Sequence, residues 1–202
     1  MDSRIVFKRY YFLKGVTLKK DKEFNILWLT GMSGSGKSTL ASYVKQICEE
    51  RGHKVRIIDG DDVRNKDEKK LGFGYEDVLI NNLRIATLCL DLRNQNVTVV
   101  IVPVISPYEK VRKKVKDLLG PFLHLIYVKA DIESLKERDT KGLYLAADCG
   151  EIDGLIGYSD INPYDEPLEP SIVIEAGNNT PLDRSKKELF KYVSNCVIDK
   201  NN

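Results

Sequence analysis

Eight residues constrain this chain more than any others: Gly31-Met32-Ser33-Gly34-Ser35-Gly36-Lys37-Ser38. They follow an apolar run, Asn25 to Thr30, and open a helical pattern from Thr39 to Cys48. Strand, glycine-rich loop and helix in that order make a phosphate-binding P-loop. Glycines 31, 34 and 36 permit backbone conformations that a Cβ resists, so successive N–H groups can turn toward phosphate oxygens. The N-terminus of the helix adds unpaired N–H groups and partial positive charge. Gly31, Ser33, Gly34, Ser35, Gly36 and Thr39 are the expected ATP-binding positions. Lys37 is expected to reach the β- and γ-phosphates, and the Ser38 hydroxyl to bind Mg²⁺. Four fixed positions recur by chance in a chain of this size at about 1%. A glycine-rich turn that merely precedes a helix therefore accounts poorly for the match. The motif implies a nucleotide but no particular reaction.

Length and composition narrow the class. The 202 residues suit one domain with a full core: residues 25–202, preceded by an extension, 1–24, of unassigned role. A net charge of +2 argues neither for nucleic acid nor for a membrane surface. The basic run from Lys110 to Lys116 reads as a solvated helix face. No apolar run approaches the ~20 residues of a membrane span, and the N-terminus lacks a signal-peptide core. Cys48, Cys89, Cys149 and Cys196 are scattered, without metal-ligand spacing. The first, second and last sit in helical apolar patterns, where a buried reduced thiol is the default. These features point to a cytoplasmic protein.

Beyond the P-loop helix, strands and helices alternate. Strands are expected at 54–59, 97–102, 122–128 and 171–175. Helices are expected at about 76–94, 108–119, 132–138 and 182–198. The helix at 76–94 offers Leu79, Leu83, Ala86, Leu88 and Leu90 for packing. Val97 to Val102 is the most apolar run and reads as a central strand buried on both faces. Residues 139–168 show little apolar periodicity and many Gly, Asp and Tyr, which suits a functional segment. The fold class is therefore α/β: a P-loop three-layer α/β/α sandwich with a mainly parallel sheet and a mobile lid at about 139–168.

Phosphoryl transfer needs charge neutralisation, alignment and a destination for the acceptor's proton. Asp61, just past the carboxyl end of the second strand, is the candidate for acceptor activation or for Mg²⁺ binding. Its competing role is to cap the next helix; Asp59 is ambiguous between site and structure. Arg64 can clamp an acceptor phosphate. Arg138 and Lys141 stand where a lid can close over the phosphates and exclude water. The third strand ends in Ile101-Val102-Pro103 without an acid, unlike motor-type ATPases.

The chain resembles the adenylylsulfate (APS) kinase family from about Phe24 to Glu175. The resemblance rests on the P-loop and on further pieces in order: Asp59-Gly60-Asp61-Asp62-Val63-Arg64, Leu71-Gly72-Phe73, Glu76-Asp77, Asn81, Arg84-Ile85 and Ile105-Ser106-Pro107. After these come Lys141-Gly142-Leu143-Tyr144 and Asn162-Pro163-Tyr164. It implies transfer of the ATP γ-phosphate to the 3′-hydroxyl of adenosine 5′-phosphosulfate. Asp61 corresponds to the acid near that hydroxyl, with Lys37 and Lys141 as the cationic partners. Arg64, Asn81, Phe73, Ile105, Ser106 and Pro107 correspond to acceptor-binding positions. Lys141 and Leu143 correspond to lid residues. Relatives often form homodimers.

Two departures fall in the implied acceptor site. Val78 stands where the family's Glu-Asp-Arg has arginine. Leu155 stands where the family has a phenylalanine that stacks on adenine opposite the Phe73 wall. Tyr75 and Tyr158 are the rings available to replace it. An intact donor half beside an altered acceptor half suits either adenylylsulfate or another nucleotide. One such acceptor belongs to the cytidine diphosphoramidate kinases of capsule modification. A silent nucleotide-binding module is the reading from a different class.

Overall fold

The computed structural model describes residues 24–65 and 71–198. The N-terminal extension up to residue 23 and the charged connector at 66–70 lie outside the described residues. Five strands form one sheet: β1 (Asn25–Thr30), β2 (Val55–Ile57), β3 (Val99–Pro103), β4 (Leu123–Lys129) and β5 (Ile172–Glu175). Their order is β2-β3-β1-β4-β5, and every pairing is parallel. β1 is the middle strand and is buried along its whole length. That explains its continuous apolar run, since a strand covered on both faces cannot alternate with polar residues.

Side-chain alternation along the strands builds two cores. Leu27 and Leu29 of β1, Val99 and Ile101 of β3 and Ile126 and Val128 of β4 face one side. There they meet Leu40, Val44 and Ile47 of α1 (Lys37–Glu49), and Leu189 and Val193 of α7 (Leu182–Val193). Ile26, Trp28, Val100 and Val102 face the other side. They pack on Ile85, Cys89 and Leu90 of α3 (Tyr75–Arg93), and on Val115 and Leu119 of α4 (Glu109–Leu119). These are the three layers expected from the alternating pattern. Cys48 and Cys89 are buried free thiols, Cys196 is half-buried and Cys149 is exposed.

Three local features differ from expectation. β2 ends at Ile57, short of the expected 59, and a short helix, α2 (Gly60–Asn65), starts after two intervening residues. The buried stripe of α3 is Val78, Asn81, Asn82, Ile85, Ala86, Cys89 and Leu90. Leu88 is 43% exposed, and Leu79 and Leu83 are only half-buried. The stripe keeps helical spacing, but two asparagines occupy it near the site, so counting leucines displaces the face. The closing helix ends as a single π-helical stretch, Ser194–Ile198.

Residues 139–168 carry more order than their lack of periodicity suggests. After α5 (Ile132–Arg138) comes α6 (Leu143–Asp148). Leu135, Tyr144 and Leu155 make a small core of their own. No helix among the described residues is long and apolar enough to cross a membrane.

Candidate active site

The carboxyl ends of the central strands open into a cavity of about 490 Å³. Its floor is the P-loop. Gly31 has φ 154°, and a Cβ there would lie 2.4 Å from the carbonyl oxygen of Val128. Only glycine lets the loop leave β1 this close to β4. Gly36 is left-handed at φ 94° and precedes the first turn of α1. Ser33 to Leu40 all line the cavity, so the helix N-terminus faces it. Such a terminus is an anion site.

Lys37 belongs to the buried wall. Its Nζ donates to the carbonyls of Gly31 at 2.9 Å and Met32 at 2.7 Å. Burial, with Lys141 adding repulsion, pushes its pKa down to about 7. A neutral amine retains two N–H donors, and the two carbonyls match them. The two bonds tie the amine to its own loop.

α2 lines the same cavity through Gly60, Asp61 and Arg64. The Asp59 carboxylate accepts from the Asp61 backbone N–H at 2.8 Å, two residues on, which is the geometry of an N-cap. The cap is therefore Asp59, and the Asp61 carboxylate stays available. It pairs with Lys141 at 3.2 Å. Both side chains are more than half exposed, so the pair contributes little to stability, ~1 kcal/mol or less. Its geometric consequence is larger: Lys141 meets Asp61 over the P-loop.

Arg64 lies over the Phe73 ring at 4.8 Å and donates to the Gly72 carbonyl. Burial lowers its pKa, with Asp61 opposing. Asn81 is fully buried and donates from Nδ2 to the Gly60 carbonyl at 3.2 Å. Ile105, Ser106 and Pro107 form a further wall. Ser106 sits at φ 45°, a left-handed conformation rare outside glycine. Arg138 also faces the cavity and donates from Nε to Asn178 at 3.2 Å.

Two expected acceptor residues lie elsewhere. Leu143 and Leu155 pack into the small core with Leu135 and Tyr144. The neighbour Ile156 lines the cavity instead. Tyr75 packs against Tyr108 at 5.4 Å, and Tyr158 against Tyr144 at 5.5 Å. Neither lines the cavity, and Phe73 is its one aromatic side chain among the described residues. Val78 does line it, 1% exposed.

Several supporting residues were not anticipated. Arg112, in the run read as a solvated face, is 3% exposed. It donates to the carbonyls of Ser106 at 2.7 Å and Asp165 at 2.6 Å, and pairs with Glu109. Thr30 donates to the Ile105 carbonyl at 2.6 Å, and Tyr164 meets the Thr30 hydroxyl at 2.9 Å. The 105–107 wall is thus tied to β1, to α4 and to the Asn162-Pro163-Tyr164 segment. Tyr144 donates to the Ser33 carbonyl at 2.9 Å, which joins α6 to the P-loop. The only sequence signal for Tyr144 and Tyr164 was their place in family-like motifs, and Thr30 and Arg112 lacked even that.

Known proteins resemble this chain in sequence and in fold. The family model for adenylylsulphate kinase matches residues 23–175. An adenylyl-sulfate kinase of Bacillus pumilus is 40% identical over 177 residues, 87% of each chain. A probable adenylyl-sulfate kinase of Pyrococcus abyssi is 40% identical over 165 residues, 82% of this chain and 92% of that one. Among solved structures, the Mycobacterium tuberculosis APS kinase CysC in complex with AMPPNP and APS superposes with a TM-score of 0.73. It is 29% identical, and the match covers 85% of this chain and 98% of that one. The matched span holds the P-loop, α2, the 105–107 wall and the Lys141 segment, and the chain belongs to the adenylylsulphate kinase family.

Proposed function

We propose that this protein is an ATP-dependent kinase that transfers the γ-phosphate to the ribose 3′-hydroxyl of a small nucleotide. One observation carries the reading: Lys37 and the Asp61–Lys141 pair line one cavity, near enough for both charges to act on the Lys37 amine. The P-loop lines this cavity together with Arg64, Phe73 and Asn81.

The donor phosphates bind the N-terminus of α1, and Lys37 exchanges its two carbonyl partners for phosphate oxygens. Arg138 and Lys141 add positive charge from the lid side. The exposed Ser38 hydroxyl and the Asp61 carboxylate are the oxygen donors that fit a magnesium ion. When bound, that ion neutralises charge on the transferring phosphoryl group. Asp61 accepts the proton of the attacking hydroxyl and aligns it. Lys141 holds Asp61 in place and leaves it for the phosphates as the 139–168 segment closes. Closure removes water, the competing acceptor.

Family membership favours adenylylsulfate as the acceptor, the substrate in the relatives' names. One observation favours a second acceptor: the buried wall at Val78 is apolar, so no cation there meets a phosphosulfate end. The test is ADP release with Mg²⁺, ATP and either adenylylsulfate or cytidine diphosphoramidate, compared as kcat/KM. Turnover of at least one, abolished by Asp61→Ala, is the expected result. No ADP release with either nucleotide would sink the proposal in favour of a silent binding module.

A further inference from the structure

Asn81 and Asn82 are 0% and 1% exposed, and both line the cavity. Each amide has a fixed orientation. Asn81 Nδ2 donates to the Gly60 carbonyl at 3.2 Å, and Asn82 Nδ2 donates to the Val78 carbonyl at 2.9 Å. A flipped amide would set oxygen against oxygen, so the hydrogen bonds identify which atom is Oδ1. Both Oδ1 atoms are buried, and neither receives a hydrogen bond. Buried acceptors without donors are uncommon, because each loses its water without replacement. Two of them on adjacent residues of one cavity wall call for a common cause.

Their surroundings define what fits. Val78, Val104 and Ile156 are apolar and offer no side-chain donor. Arg64 gives one terminal N–H to the Gly72 carbonyl and lies over the Phe73 ring, and its Nε–H and the Ser106 hydroxyl line the same cavity, buried and without partners. A sulfate or phosphate oxygen suits those donors, but set against either Oδ1 it would oppose lone pair to lone pair. A neutral amino group would supply the missing protons.

We infer that Asn81 and Asn82 form a receptor for a neutral N–H donor on the acceptor nucleotide, with Asn82 as a specificity-determining residue. The inference rests on the nucleotide-kinase reading. The donor is an amino group, either on the base or at the end of the phosphate chain.

The two sources separate in a calorimetric binding experiment with Mg²⁺ and a non-hydrolysable ATP analogue. Cytidine and uridine, each as the 5′-phosphosulfate and the 5′-diphosphoramidate, give four acceptors. The two chain ends carry equal charge and differ in one amino group. Adenosine and inosine 5′-phosphosulfate repeat the base comparison for a purine. The expected result is that removing one of these amino groups weakens binding at least about tenfold. In Asn82→Leu that penalty should shrink to about threefold or less, with Tm unchanged or raised because a buried orphan acceptor is gone. Asn82→Ala repeats the comparison should the leucine variant not fold. A penalty below about threefold for every amino group, or one unchanged in the Asn82 variants, would overturn the inference. So would the absence of any nucleotide binding. Because binding is read without turnover, a preserved penalty in a protein that phosphorylates nothing would count against the kinase reading alone.

Discussion

Lys37 makes the pH dependence of ATP binding a test of the site. Its pKa of about 7 lies far below the ordinary 10.5, chiefly through burial and then through repulsion from Lys141. Phosphate oxygens beside Nζ would restore the charged form. At pH 8 a group with pKa 7 is roughly one-tenth protonated when free, so nucleotide binding should take up about 0.9 proton. Affinity should then fall about tenfold per pH unit above 8, until the bound-state pKa is reached. The phosphate titration itself, near pKa ~6, is complete in this range. The free protein should behave oppositely. Its folded-state pKa is depressed, so between about 7 and 10.5 the unfolded chain binds more protons at this position and stability rises with pH. Calorimetry at pH 8 in two buffers of different ionisation enthalpy counts the protons. Denaturant titrations at pH 7.5 and 9 read the stability slope. No proton uptake at pH 8 would refute the picture of a neutral Lys37 held by loop carbonyls. So would equal uptake in Lys37→Met.

Other expectations follow from the same geometry. Asp61→Ala should lower kcat by about 10²–10⁴, the range of a proton acceptor, while ATP affinity by calorimetry changes little because Ser38 and the P-loop remain; loss of ATP binding would show that the carboxylate acts chiefly through the magnesium ion and not as the proton acceptor. Gly31→Ala should destabilise the fold by more than about 2 kcal/mol in urea, because its Cβ would meet a backbone oxygen 2.4 Å away rather than a flexible side chain. Arg112→Met should cost about 2–3 kcal/mol, since buried carbonyls and Glu109 lose a charged donor, and should raise KM for the acceptor as the 105–107 wall loosens. Leu155→Phe should cost about 1–3 kcal/mol by overpacking the small core, with no gain in adenylylsulfate turnover. Such a gain would show that position 155 reaches the base.

The parts of this protein that read easily from sequence are those where one physical demand dominates. β1 and β3 are covered on both faces, so their burial appears as unbroken apolar runs. The P-loop needs glycine at positions that no Cβ tolerates. α3 was harder because its buried stripe changes character. Asn81 and Asn82 occupy core positions but serve the cavity, so apolar counting moved to Leu79, Leu83 and Leu88. The same one-residue ambiguity affected Leu155 and Ile156: they open a turn in which one side chain enters the small core and its neighbour lines the cavity, and spacing cannot choose between two aliphatics. Arg112 was hidden among exposed lysines, and only its carbonyl partners, far away in sequence, distinguish it. Asp59 was ambiguous for a similar reason, and the structure makes it the cap while Asp61 keeps its place in the cavity. Either carboxylate suits a cap or a site, and the start of α2 decides.

The central claim concerns where the phosphate goes. ³¹P NMR of a reaction containing Mg²⁺, ATP and the preferred acceptor reads this directly. The account predicts one new phosphomonoester signal, coupled to the ribose 3′-proton and growing in step with ADP. Inorganic phosphate growing with ADP, or a phosphate added at the 2′ position or at the chain end, would contradict it.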